Sequence, residues 1–224
     1  MHRTLAALSL AVLSACAGTT GTSGPPEAAR PSMSAPQSGT FHIVRGTDTI
    51  AREPFTRTAA RLDADMRVVA AGARIAYSMD LAPDASVTRL EMRAYAPGAD
   101  TSAAQRIVAT VRADSVTAEV TQRGGTPRTD RVASRPGLVT YVNPSPSAME
   151  QIVRRARAMG GDSAQVPILG ADNGQLGEVA VRFVGADSAI LSLGPVVLRM
   201  RVDRAGSLLG GTVPSQGLVI TRTN

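Results

Sequence analysis

The strongest constraint on this chain is an alternation of apolar and polar residues that persists from Phe41 almost to the last residue. Leu62, Ala64, Met66 and Val68 alternate with Arg61, Asp63, Asp65 and Arg67. Ala73, Ile75, Tyr77, Met79 and Leu81 repeat the pattern, as do Leu90, Met92 and Ala94. The series Ile107-Ala109-Val111, Val116-Ala118-Val120, Val179-Val181-Phe183 and Val196-Leu198-Met200-Val202 continue it. Period two puts one apolar and one solvated face on a strand. Turn residues separate the runs: Gly46-Thr47-Asp48, Ala71-Gly72, Pro83-Asp84, Pro97-Gly98, Ala113-Asp114, Gly124-Gly125, Asp172-Asn173-Gly174, Gly185-Ala186-Asp187 and Arg204-Ala205-Gly206. Connections this short predict antiparallel hairpins and not βαβ crossovers.

One segment follows another period. Residues 145–159 place Ala148, Met149, Ile152, Val153, Ala156 and Met159 at helical spacing. Ser145 is suited to the N-cap, Pro146 to the first helical position and Gly160-Gly161 to the stop. Glu150 in the early turns and Arg154, Arg155 and Arg157 in the later ones complement the helix dipole. The pattern thus predicts about nine strands before the helix and five or six after it. A helix of about fifteen residues is roughly 22 Å long, too short to cover a flat sheet of that many strands. The sheet must curl around it or close on itself. The expected fold is mainly β: a curved antiparallel meander, half-barrel or barrel-like, packed on one α-helix.

The N-terminus carries a different message. Met1-His2-Arg3, an apolar run from Leu5 to Leu13 and the small residues Ser14-Ala15 form a secretory signal. The run falls short of the roughly 20 residues a membrane-spanning helix needs. Leu13-Ser14-Ala15-Cys16 resembles the lipobox of bacterial lipoproteins. That resemblance implies a signal peptide over residues 1–15 and a lipid anchor on Cys16, the one cysteine in the chain. Ala17 follows where an aspartate would imply retention at the inner membrane, so the resemblance implies the outer membrane, with the domain facing the periplasm. After the anchor, residues 17–40 are Gly, Ser, Thr, Pro and Ala with almost no large apolar side chain. Such a stretch cannot bury enough surface to fold and is read as a disordered tether. Residues 41–224 are then a single β-rich domain, stabilised without a disulfide.

A one-sided sheet curled about a helix resembles, in pattern and over roughly residues 41–222, the LolA/LolB-type half-barrel of periplasmic lipoprotein carriers. That resemblance implies an apolar cavity inside the curl. It rests on no motif and carries over no binding residues; those carriers also have more helix than the single segment seen here.

Little in the chain supports catalysis. His42 is the one histidine after the signal, too few for a zinc site. No Gly-x-Ser-x-Gly turn is present, and every basic residue is arginine, which removes lysine chemistry. Asp63 and Asp65 share a strand face, but beside Arg61 and Arg67 they read as a salt-bridged outer surface. Asp172-Asn173-Gly174 reads as a hairpin turn and not a calcium loop. No catalytic residue, metal ligand or cofactor is expected. The net charge of +6 is dispersed: residues 41–112 hold ten arginines against eight acids, and residues 158–224 five against five. That is a poor nucleic-acid footprint. The one basic concentration comprises Arg154, Arg155 and Arg157 with Arg128, Arg131 and Arg135, a possible contact for anionic headgroups or a partner. The expected function is therefore a non-enzymatic envelope lipoprotein. Its domain binds a lipid, another apolar ligand or an envelope protein. A structural or scaffold module with a filled core and no ligand is the alternative, and an enzyme using carboxylates and arginine alone comes third.

Overall fold

The computed structural model describes residues 36–98 and 101–224. The signal, Cys16 and most of the tether lie outside the described residues. The apolar core, which runs from Phe41 to Ile220, belongs wholly to one compact unit.

Nine strands precede the helix: β1 (Gln37–Arg45), β2 (Asp48–Arg57), β3 (Arg61–Val68), β4 (Ala73–Leu81), β5 (Val87–Tyr95), β6 (Gln105–Val111), β7 (Ser115–Gln122), β8 (Arg128–Ala133) and β9 (Val139–Tyr141). The helix α1 (Pro146–Met159) follows, then β10 (Ser163–Gly170), β11 (Leu176–Val184), β12 (Ser188–Leu193), β13 (Val196–Val202), β14 (Leu208–Val213) and β15 (Leu218–Thr223). β1 begins at Gln37, so the last residues assigned to the tether from composition belong to the strand. Together the strands form one open sheet of fifteen, in the order β8-β7-β6-β5-β4-β3-β2-β1-β15-β14-β13-β12-β11-β10-β9. The chain starts at the middle of the sheet, walks to one edge, crosses over and walks back until β15 pairs with β1.

Two connections depart from the hairpin expectation: β8 leads to β9 at the opposite edge of the sheet, and β9 leads to β10 through the helix. β9 pairs parallel to β10. Parallel neighbours need a long crossover, and α1 supplies it. With only three residues, β9 is too short to leave an alternation in the sequence.

Register explains where the core sits. Phe55, Ala64, Tyr77, Met92, Ile107, Val120 and Arg128 lie opposite one another on successive strands from β2 to β8. The neighbouring row reads Arg57, Leu62, Met79, Leu90, Ala109, Ala118 and Asp130. On the other half Ile43, Ile220, Gly211, Met200, Ala189 and Phe183 form the matching row. These rows face α1, whose buried residues include Ala148, Met149, Ile152, Val153 and Ala156. Ser145 caps the helix by accepting the Ala148 amide at 3.1 Å, as its sequence predicts. The sheet curls far enough that the Val87 amide of β5 donates to the Leu138 carbonyl beside β9 at 2.9 Å. Strands β6 to β8 extend past that contact as a lip.

Candidate ligand cleft and buried polar cluster

Two features on the inner face depart from a plain apolar core. The first is polar. Glu53 and Arg57 lie on β2 in phase with Phe55, so the strand's alternation carries both charges inward. They are 1% and 4% exposed, and both are partnered at the start of α1.

One Glu53 carboxylate oxygen lies 3.0 Å from the Tyr77 hydroxyl and 2.5 Å from the Ser145 hydroxyl. Those two hydroxyls are 2.6 Å apart. The other oxygen accepts the Ser147 amide at 3.4 Å. Burial outweighs these hydrogen bonds and pushes the Glu53 pKa up to about 7. The Tyr77 hydroxyl is pushed up as well, by burial first and then by the Glu53 charge.

Arg57 places its Nε 2.9 Å from Glu150 Oε1, and its other nitrogens donate to Gln151 Oε1 and to the Ser147 carbonyl. Burial lowers its pKa, against the attraction of Glu150. Glu150 also accepts Arg154 Nε at 2.9 Å and the Leu208 amide at 2.9 Å, with Arg222 at 3.8 Å. One buried carboxylate thus joins β2, α1, β14 and β15. This cluster is enclosed and richly partnered, so it fastens the helix to the sheet rather than meeting a substrate.

The second feature is an apolar cleft under the lip. Its wall is the inner face of β5 to β8: Leu90, Ile107, Ala109, Val116, Ala118, Val120 and Val132. Its far side is the β10–β11 turn, Leu169 to Gly174. The volume is about 390 Å³, within the range of small-molecule pockets. It exists because Ala109 and Ala118, directly paired, stand where larger side chains would fill the curl. Arg128 and Asp130 on the edge strand stand at its mouth, 2.7 Å apart in an exposed ion pair. The Asp172-Asn173-Gly174 hairpin turn shapes the rim, with Asn173 Oδ1 accepting the Gln175 amide at 2.9 Å. An aliphatic wall flanked by Gln105, Arg128, Asp130, Arg131, Asp172 and Asn173 suits an apolar chain with a polar end. The lining offers neither a nucleophile paired with a base nor, among the described residues, a group of three metal-ligating side chains.

The residues singled out from sequence fall elsewhere. Cys16 lies outside the described residues. Arg154, Arg155 and Arg157 each hold α1 to its surroundings. Arg154 pairs with Glu150 and donates to Ser207 Oγ at 2.8 Å. Arg155 pairs with Asp84 at 2.9 Å. Arg157 lies over the Phe183 ring at 3.6 Å. Asp63 and Asp65 sit on the outer face, paired with Arg61 and Arg74. His42, half-buried on the outer side of β1, lies 3.4 Å from the Thr223 hydroxyl.

Sequence reading missed Glu53 and Arg57. The signal was present: both are charges in phase with an apolar series. The cleft left no such signal, since Ala109 and Ala118 fit the alternation whether the space above them is full or empty.

No family model matches the sequence, and no curated protein matches it. The structure is similar to the crystal structure of a DUF1089 family protein from Pseudomonas aeruginosa, with a TM-score of 0.52 at 12% identity. The match covers 76% of this chain and 92% of that one. At that identity the likeness is one of fold: a sheet-rich, DUF1089-like architecture.

Proposed function

We propose that this chain is an outer-membrane lipoprotein, anchored through Cys16, whose periplasm-facing domain binds an apolar ligand in the cleft beneath β5 to β8. The observation that carries the reading is the cleft itself. It is a 390 Å³ space with an aliphatic wall, kept open by two paired alanines. Burial of apolar area at roughly 25 cal/mol per Å² drives such binding. An acyl chain matches the wall, and its polar end would lie at the Arg128–Asp130 rim. The pattern-level resemblance to half-barrel lipoprotein carriers supports the same reading.

The test uses residues 36–224, which hold every described strand, the helix and the whole core. A fluorescent fatty-acid analogue should bind this domain with a blue-shifted emission. Ala118→Phe, which fills the cleft, should weaken binding at least tenfold. Thr117→Phe, one residue along and on the outer face, should leave it unchanged. Equal binding by both variants would place the ligand elsewhere. Absence of binding by the unaltered domain would favour the structural module without a ligand. The anchor has a separate test: Cys16→Ser should abolish incorporation of labelled palmitate, and persistent labelling would remove the lipoprotein reading.

A further inference from the structure

The outer face of the sheet is electrostatically divided. On β3 to β5 the outer charges come close to balance, five arginines against four acids. Arg61 pairs with Asp63 and Asp80, Arg74 with Asp65, and Glu91 with Arg89, Arg93 and Arg106. The strands β12 to β15 and β1, by contrast, contain no aspartate or glutamate. Their outer face, continued onto β11, carries Arg182, Arg199 and Arg201, all exposed. None of the three has a carboxylate partner among the described residues.

Register interleaves these cations with aliphatic side chains. Arg182, Ile190, Arg199, Thr212, Val219 and Val44 lie directly opposite one another across six strands. The adjacent row begins Val184, Ser188, Arg201 and Gly210. Val184, Val197, Leu209 and Val219 are 45%, 39%, 43% and 44% exposed. With Leu176 at the start of β11, five of the seven exposed large apolar residues among the described residues therefore lie on β11 to β15. Thr212, a small residue on β14, lies in an open depression between Ile190, Arg199 and Val219.

We infer that this outer face of β11 to β15 docks on an anionic lipid bilayer. Unpaired guanidiniums beside exposed aliphatics suit the headgroup region: the cations meet lipid phosphates while the aliphatics enter the acyl boundary. β12 to β15 carry no carboxylate, and Glu178 on β11 is paired with Arg135, so little repulsion opposes it. The tether supports the same occupant, and this part of the argument rests on the lipid-anchor reading. Twenty residues separate Cys16 from Gln37, which bounds the distance from the anchor to β1 at about 70 Å even at full extension. The tether joins β1, the direct neighbour of β15, so the anchor holds this face close to the bilayer.

The test omits the anchor, so that its outcome is independent of Cys16. Residues 36–224 are sedimented with vesicles of equal parts phosphatidylcholine and phosphatidylglycerol, and with vesicles of phosphatidylcholine alone. The domain should co-sediment with the first and not the second, less so as salt rises. Arg182→Gln, Arg199→Gln and Arg201→Gln should each weaken binding about fivefold, and the triple variant about a hundredfold. Arg93→Gln, on the balanced half, should bind as the parent does. Circular dichroism confirms that each variant is folded. Failure to bind either vesicle overturns the inference, as does undiminished binding by the folded triple variant. Sedimentation velocity showing a dimer that the triple variant abolishes would assign the face to a second copy of the chain and also overturn it. Palmitate labelling that persists in Cys16→Ser would remove the anchor and leave the vesicle result standing.

Discussion

At the scale of single residues, the inner charges of β2 define how this fold responds to pH. Glu53 would titrate near 4.5 when exposed and is held at about 7 in the fold. The folded state thus binds more protons than the unfolded one between those values, and stability falls as pH rises from 4.5 to 7. The full effect is roughly 3 kcal/mol, present below 4.5 and lost above 7. Glu53→Gln keeps an acceptor for Ser145 and Tyr77 but cannot ionise. Urea unfolding at pH 5 and pH 8 should show that the variant gains stability relative to the parent at the higher pH. A constant difference between the two would contradict the assignment. Glu150 compensates Arg57 at 2.9 Å in a buried pair. Glu150→Ala leaves a buried guanidinium without its anion and should cost about 3–5 kcal/mol, read as a lower urea midpoint.

Individual elements show what the sequence could reveal. The helix was legible nearly to the residue. Its cap, its proline and its terminal glycines are local signals that tertiary packing did not need to override. Most strands were legible for a similar reason, since one face is packed and the other wet. β8 and β9 were not. β8 points Arg128 and Asp130 inward at the sheet edge, which breaks its alternation and also discourages edge-to-edge pairing. β9 is recognisable only through its parallel partner, a long-range contact. Glycine placement on β14 shows the same dependence on distant neighbours. A Cβ on Gly211 would collide with the Met200 sulfur and lie 2.7 Å from the Arg199 carbonyl oxygen. Gly211→Ala should therefore destabilise the domain by about 1–3 kcal/mol, measured by thermal unfolding. The sequence around Gly211 reads only as a weak strand, with nothing in it to announce this close approach.

At the scale of the whole molecule, the sheet is larger than its single helix can fill. That mismatch, visible in the sequence as many strands against about fifteen helical residues, is what leaves space under β5 to β8. The curl was foreseeable from lengths alone. Where the residual space would lie was not, because it depends on β9 turning back to β5 and on which inner positions are alanine. The same open sheet leaves an outer face that is close to charge balance on one half and cationic on the other, a contrast that emerges only once register places the strands side by side.

The central claim is that the cleft holds an apolar ligand, and the most direct measurement is of what the protein already carries. Residues 36–224, produced in the bacterial periplasm and purified without detergent, are extracted with organic solvent and the extract is analysed by mass spectrometry. The account predicts one acyl-chain molecule per domain at near-stoichiometric amount, absent from the Ala118→Phe variant. A clean extract from the unaltered domain, together with no binding of an added apolar dye, would contradict it.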